Sequence, residues 1–266
     1  MDPVFSTEIF KLIIDEVAYS STNLGQQKRE LSQLALVSST FASLCQAQLF
    51  RTVTAHLVPS AQPHLQVLHR NPTLAAHVRH LKCVGSIAAL FAPGHSDLLS
   101  PSPTHHDPAL EVLLNLPNLD TLTIHAYVSY TQPVHPHTVG FCSILDHYLS
   151  TNHLVSLNIC AVKGLPILRI LSSKSLHHLH LDRCSFSPWR NELPSVLVAL
   201  QDALESGFNL RTLKVVGAEL VDKSKEALHP LLVYCHDLEE VQAEWFNVVA
   251  RIDISKNPGE LSTRSV

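Results

Sequence analysis

Charge is scarce in this chain. Only 16% of its 266 residues are Asp, Glu, Lys or Arg, while 45% are hydrophobic. The balance is slightly acidic, with a net charge of −4 and no basic block. A surface that follows nucleic-acid phosphates needs clustered Lys and Arg, so that class is disfavoured. Glycine is also rare, at eight residues, and no Gly-x-Gly-x-x-Gly or Walker loop occurs to cradle a phosphate. Gly-x-Ser-x-Gly and His-Glu-x-x-His are missing too, which removes the motif-borne hydrolases. No apolar run reaches the roughly 18 residues that span a bilayer. The opening MDPVFSTEIFKLIIDEV carries acidic residues where a secretory leader needs positive ones. The expectation is an intracellular protein, cytoplasmic or nuclear. The six cysteines (Cys45, Cys83, Cys142, Cys160, Cys184 and Cys235) stand singly, without a Cys-x-x-Cys pair. Reduced, mostly buried thiols fit a reducing compartment.

What is present falls into parts. Residues 3–54 read as three short helices. Ser6 or Thr7 is placed to cap the first, over 8–18, where Ile9, Leu12, Ile13 and Val17 recur at helical spacing. The polar run SSTNLGQQKRE, 20–30, reads as a loop. A second helix begins at Leu31 with Leu34, Ala35 and Val37. Ser39 or Thr40 is expected to cap a third, which carries Phe41, Leu44, Cys45 and Leu49. Residues 31–54 contain one basic residue, no acidic residue, no Gly and no Pro. A core helix normally keeps a charged outer face, so either the rest of the chain or a second protein must cover this stretch. Residues 55–77 form a connector in which Pro59, Pro63 and Pro72 break any long helix, with room for a short one over 64–70.

From residue 78 the pattern Φ-x-x-Φ-x-Φ recurs, Φ being apolar. Its copies begin at Val78, Leu119, Leu154, Leu176, Leu210 and Leu238, separated by 41, 35, 22, 34 and 28 residues. Val249-x-x-Ile252-x-Ile254 is a possible further copy, too close to its predecessor to hold a helix between. The period lies around that of leucine-rich repeats. Each short strand would turn alternate apolar residues inward, and stacked copies would bury what one cannot. Helix-like segments return between them at 141–150, 193–207 and 223–235. The fold class expected is α/β: a three-helix unit, then an irregular solenoid over 78–254 with parallel strands inside and helices outside. Proline- and histidine-rich loops at 92–108 and 131–138 interrupt it, and 255–266 reads as a flexible tail.

FSTEIFKLIIDEV followed by LALVSSTFASLCQAQLFRTVT resembles an F-box. Glu8, Ile9 and Ile13 match that family's first helix, Leu34 and Val37 its second, Phe41 its usual aromatic, and Leu44, Leu49 and Phe50 its third. Phe5-Ser6 stands where the family has Leu-Pro, and the loop between the first two helices is longer. An F-box followed by leucine-rich repeats is similar to the substrate receptor of a cullin–RING ubiquitin ligase, including the large F-box-like families of mushroom-forming fungi. The resemblance implies docking on a Skp-family adaptor through Phe5, Ile9, Ile13, Leu34, Val37, Phe41, Leu44, Leu49 and Phe50. It implies no catalytic residue, no cofactor and no metal, with an unknown protein as substrate and neither nucleic acid nor membrane as partner. The weakly charged stretch is then one side of a permanent interface.

Two other readings stand beside it. The helical unit could be a plain polar cap, which repeat arrays need at their ends, on a leucine-rich interaction module. The 18 histidines, grouped as His105-His106, His135-x-His137 and His177-His178-x-His180, raise a metal-dependent enzyme as a further alternative. Zinc requires three or four converging ligands, and His-x-His alone supplies two. Trp189 with Arg190 follows a repeat strand and is the candidate for substrate contact, since exposed aromatic and Arg anchors carry interface energy. Trp245-Phe246 reads as a plug over the last repeats.

Overall fold

The computed structural model describes residues 6–20, 24–56, 62–85, 111–129, 141–186, 208–216, 235, 237–245 and 248–253. They form an α/β protein. Its helical unit consists of α1 (Thr7–Ser20), α2 (Leu24–Leu34) and α3 (Ser39–Leu49). Two of these helices differ from the sequence expectation. The polar run expected as a loop is helical from Leu24, because Gln, Lys, Arg and Glu are good helix formers. Gln26 also donates to Glu30 one turn on, at 2.8 Å. The cap of α3 is Ser38, not Ser39 or Thr40: its extended backbone (φ −160°) lets the hydroxyl accept from the Phe41 amide at 3.2 Å. Val37 consequently lies in the turn between α2 and α3.

The sheet has eight strands in sequential order: β1 (Thr52–His56), β2 (His80–Val84), β3 (Thr121–Ser129), β4 (Ser156–Lys163), β5 (His178–Asp182), β6 (Thr212–Val216), β7 (Glu240–Trp245) and β8 (Val248–Asp253). Strands β1 to β7 run parallel to one another. Each of the six expected copies supplies one strand, β2 to β7. The possible copy at Val249 does not continue the series. It forms β8, antiparallel to β7, because the two residues between Trp245 and Val248 can close a hairpin but not a parallel crossover.

Between the strands run α4 (Pro63–Arg70), α5 (Pro72–Ala75), a single 3-10 turn (Val112–Leu114), α6 (Phe141–Thr151) and α7 (Ile167–Leu171). All of them contribute side chains to one core with the inward residues of the sheet: Leu65 and Leu68, Leu113, Ile144 and Leu145, Ile167 and Ile170. Helices therefore cover one face of the sheet. The predicted helices at 193–207 and 223–235 lie outside the described residues except for Cys235, which is buried. The loops at 92–108 and 131–138 and the tail 255–266 lie outside them as well.

Backbone bonding repeats as regularly as the sequence. The carbonyl one residue after the first Φ accepts two amide hydrogens from the next copy. Arg79 accepts from Asp120 and Thr121, Asp120 from Val155 and Ser156, Val155 from His177 and His178, and His177 from Arg211 and Thr212, all at 2.8–3.0 Å. Arg211 does the same toward Glu239 and Glu240. Two asparagines one residue before the first Φ reach back to the preceding copy: Asn118 to Ala76 at 2.7 Å and Asn209 to Lys174 at 2.6 Å.

The series starts one copy earlier than the sequence suggests. Arg51 accepts from Arg79 and His80 in the same way, and Phe50-x-x-Val53-x-Ala55 is the same pattern. Strand β1 therefore follows α3 with only Phe50 and Arg51 between them. Its outer edge is closed by Gln62, which is 5% exposed. The Gln62 side chain accepts from the His56 amide at 2.8 Å and donates to the His56 carbonyl at 2.6 Å.

Candidate functional site

The helical unit has its own small core of Ile14, Leu31 and Cys45, with Val17, Leu34, Phe41, Leu44 and Leu49 packed around it. The rings of Phe10 and Phe41 pack at a 48° tilt with centres 4.8 Å apart. Helix α1 thus spends one face inside the unit. Its other face carries Ile9, Leu12 and Ile13, at 42, 69 and 44% exposure, with Ile9 one helical turn before the adjacent pair. Leu36 and Val37, in the turn after α2, are 87 and 66% exposed. Of eight large hydrophobic residues exposed among the described residues, six lie between Ile9 and Val37. Scattered single apolar residues are ordinary on a surface; a concentration in one short unit points to a covering partner.

The residues expected to contact an adaptor divide accordingly. Ile9, Ile13 and Val37 are on the surface. Leu34, Phe41, Leu44 and Leu49 are partly buried in the helical core, and Phe50 packs on the sheet core instead. Phe5 lies outside the described residues. Leu12, Leu36 and Tyr19 are surface apolar residues that family matching did not single out. Leu12 could have been found in the sequence, because it shares a helical face with Ile9 and Ile13.

The second feature is the face of the sheet that no helix among the described residues covers. Residue register lines up its side chains in rows across the strands. One row runs Thr52, His80, Thr121, Ser156, His178, Thr212. The next runs Thr54, Lys82, Thr123, Asn158, His180, Lys214. These side chains are exposed or half-buried, whereas the residues between them, such as Leu81, Leu122 and Leu157, are fully buried. Hydroxyls hold two of the imidazoles: His80 Nε2 lies 2.8 Å from Thr123 Oγ1, and His178 Nδ1 lies 2.9 Å from Thr212 Oγ1.

At the C-terminal end of this face the Cys160 thiol donates to Asp182 at 3.2 Å, and Arg183 pairs with Asp182 at 3.1 Å. Burial raises the Asp182 pKa, but the bonds from Arg183 and Cys160, with the nearby charges, outweigh it and hold the carboxyl below its ordinary value. Burial and the bond to Asp182 push the Cys160 thiol up. The backbone here is unusual, with Ala161 at φ 60° and Arg183 at φ 51°, both in the left-handed region. Ala161 sits beside an irregularity in β3 between His125 and Val128. The arrangement keeps the thiol protonated, the opposite of an activated nucleophile. Cys83 and Cys142 are pushed up to about 12 and Cys184 and Cys235 to about 11, in each case chiefly by burial.

A cavity of about 620 Å³ lies on the helical side, bounded by α4, α5, the 3-10 turn and α6. Leu68, Leu116 and Tyr148 line it, with His69, His147 and His153. Tyr148 is fixed by donating to the Leu113 carbonyl at 2.5 Å. No three His, Cys, Asp or Glu residues among the described residues are grouped to hold a metal ion. His178 and His180 share the open face of β5, while His105, His106, Asp107, His135 and His137 lie outside the described residues, as do Trp189 and Arg190. Trp245 ends β7, and Phe246 is not described. No helix among the described residues is long and apolar enough to cross a membrane.

No protein-family model matches the chain, and neither a curated protein nor a solved structure is significantly similar to it.

Proposed function

We propose that the chain is the substrate-recognition adaptor of an SCF-type cullin–RING ubiquitin ligase. In this reading the helical unit is an F-box that docks on a Skp-family adaptor. The sheet and its helices are an irregular leucine-rich-repeat arc that holds a substrate protein in the cytoplasm or nucleus. The observation that carries it is α1, apolar on both sides. Ile14 and Val17 serve the helical core, Phe10 packs against Phe41, and Ile9, Leu12 and Ile13 are left to water. Beside the polar strip of Glu8, Lys11 and Asp15, this second apolar strip is surface that a partner chain would cover. The repeated carbonyl bonding from Arg51 to Arg211 supports the repeat half of the reading.

The mechanism is proximity. The receptor raises the effective concentration of substrate lysines near a charged ubiquitin-conjugating enzyme. No residue of this chain performs chemistry, and the cysteines, held protonated, fit that role. A second reading, a repeat module whose helical unit is only a cap, draws on the short link between α3 and β1. Phe50 ties that link to the sheet core.

Co-expression with a Skp-family adaptor, followed by size-exclusion chromatography, separates the two. The informative variant is Leu12→Asp with Val37→Asp, because both side chains are about two-thirds exposed and neither belongs to a core. The ligase reading expects one-to-one co-elution of the wild type, and a variant that melts normally but elutes alone. A wild type that stays monomeric beside the adaptor leaves the cap reading.

A further inference from the structure

We infer that Glu16 is the polar anchor of the α1 interface: the partner that covers this helix meets it with a lysine or arginine set in an otherwise apolar surface. The inference rests on the adaptor reading above and adds the chemistry that the adaptor must present.

Positions 9, 12, 13, 16 and 19 fall within about a third of the circumference of α1, given 3.6 residues per turn. Four of them are Ile9, Leu12, Ile13 and Tyr19, half of the eight large hydrophobic residues exposed among the described residues. The fifth is Glu16, one turn after Leu12 and Ile13 and one turn before Tyr19. It is exposed as well. The other charged residues of α1 stand elsewhere. Glu8, Lys11 and Asp15 make the polar strip beside this face, and Asp15 accepts from Gln48 at 2.7 Å. Arg51, beside Tyr19, donates to the tyrosine hydroxyl at 3.0 Å. No described residue bonds to or pairs with Glu16.

In water an unpaired carboxylate is fully solvated. A partner that covers Leu12, Ile13 and Tyr19 encloses the carboxylate between them, and an ionised group taken out of water without a counter-charge is strongly destabilising. A partner surface apolar throughout would strand Glu16. One with a cation opposite it keeps the apolar burial and adds a charge-assisted hydrogen bond. The pair also fixes register, because a helix shifted by one turn along the same groove sets Leu12 or Tyr19 against the cation. The bonds of Asp15 and Tyr19 to Gln48 and Arg51 hold α1 in place beforehand, which leaves less ordering for binding to impose.

The test is isothermal titration calorimetry of the purified full chain with a purified Skp-family adaptor, for the wild type and three variants of Glu16. The side chain is exposed and belongs to no core, so all three should melt as the wild type does. Glu16→Lys should weaken binding roughly thirtyfold or more, and Glu16→Gln roughly tenfold. Glu16→Leu discriminates most sharply. It enlarges the apolar strip, yet it strands the partner's cation and should also weaken binding, by roughly tenfold. Tighter binding of Glu16→Leu overturns the inference. So does a loss below about fivefold with Glu16→Lys, the most that an exposed charge pair gives. A wild type that does not bind the adaptor removes the adaptor reading, and this inference with it. A wild type that binds but is indifferent to Glu16 removes the inference alone.

Discussion

Leu49 and Phe50 are adjacent in the chain but pack against different cores. Leu49 packs with Ile14, Leu31 and Cys45 in the helical unit, and Phe50 packs on the sheet core. The junction is reinforced from α1: Asp15 accepts from Gln48 at 2.7 Å, and Arg51 donates to Tyr19 at 3.0 Å. The link between the two cores is therefore short and doubly anchored, and in the proposed receptor role it would limit the volume over which a bound substrate spreads.

Phe50 stands before β1 at the position that Val78, Leu119 and Leu154 occupy before β2, β3 and β4. Phe50→Ala should therefore cost about 2–3 kcal/mol, toward the lower end for a large core truncation because the ring is only partly buried. Urea unfolding followed by circular dichroism measures it. A loss below about 0.5 kcal/mol, the size of an ordinary surface change, would deny Phe50 its place as a repeat anchor.

Gln62 satisfies both backbone groups of His56 while nearly buried. Gln62→Ala should lower stability by about 1–3 kcal/mol, the penalty for stranding polar groups. It also reopens the edge of β1, so light scattering should rise on incubation at high concentration. Unchanged stability with unchanged scattering would count against edge closure by this side chain.

Asp182 gives an acid-side signature. Its folded pKa lies below the ordinary 3.8, so its contribution is fully present above about pH 4. It disappears as pH falls through the folded value, because the unfolded chain then binds the proton first. Asp182→Asn should be less stable than wild type at pH 6 and should lose less between pH 4 and 2. Parallel melting-temperature curves for the two proteins over that range would refute the ion pair as a stabilising element.

Thiol reactivity should follow burial. At pH 8, iodoacetamide should modify half-buried Cys160 before Cys83, Cys142, Cys184 and Cys235, whose pKa values lie near 11 to 12. The four should react roughly ten times or more slowly than after unfolding in urea. Peptide mass spectrometry resolves the order. Rapid labelling of Cys83 or Cys184 in the native protein would contradict their burial beneath the sheet.

Much of the sheet was legible because its inward positions are bulky. Leu122 and Ile124, or Leu179 and Leu181, alternate strongly enough to declare strands. Strand β1 escaped because Ala55 is a weak apolar signal and because Phe50 also fits the end of a helical motif. Helix α2 escaped because its polar residues resemble a loop; the burial of Leu31 and the one-turn bonds of Gln26 to Glu30 and Ser32 to Lys28 reveal its register. On the candidate interface, residue type could mark Ile9, Ile13, Leu34 and Phe41 alike as apolar. Packing alone separates the first pair, exposed, from the second, partly buried in the helical core.

The sequence by itself determined the order of the chain: helices first, then strands whose apolar residues recur every second position, with thiols scattered singly. These are local properties, set by periodicity and side-chain size. Tertiary structure decided the rest. It joined the helical unit to the first strand through Leu49 and Phe50 and reversed the last strand. It also aligned five histidines from four separate strands on one open face. Such groupings depend on register between residues tens of positions apart, which hydrogen bonding between strands fixes and no short window of sequence records.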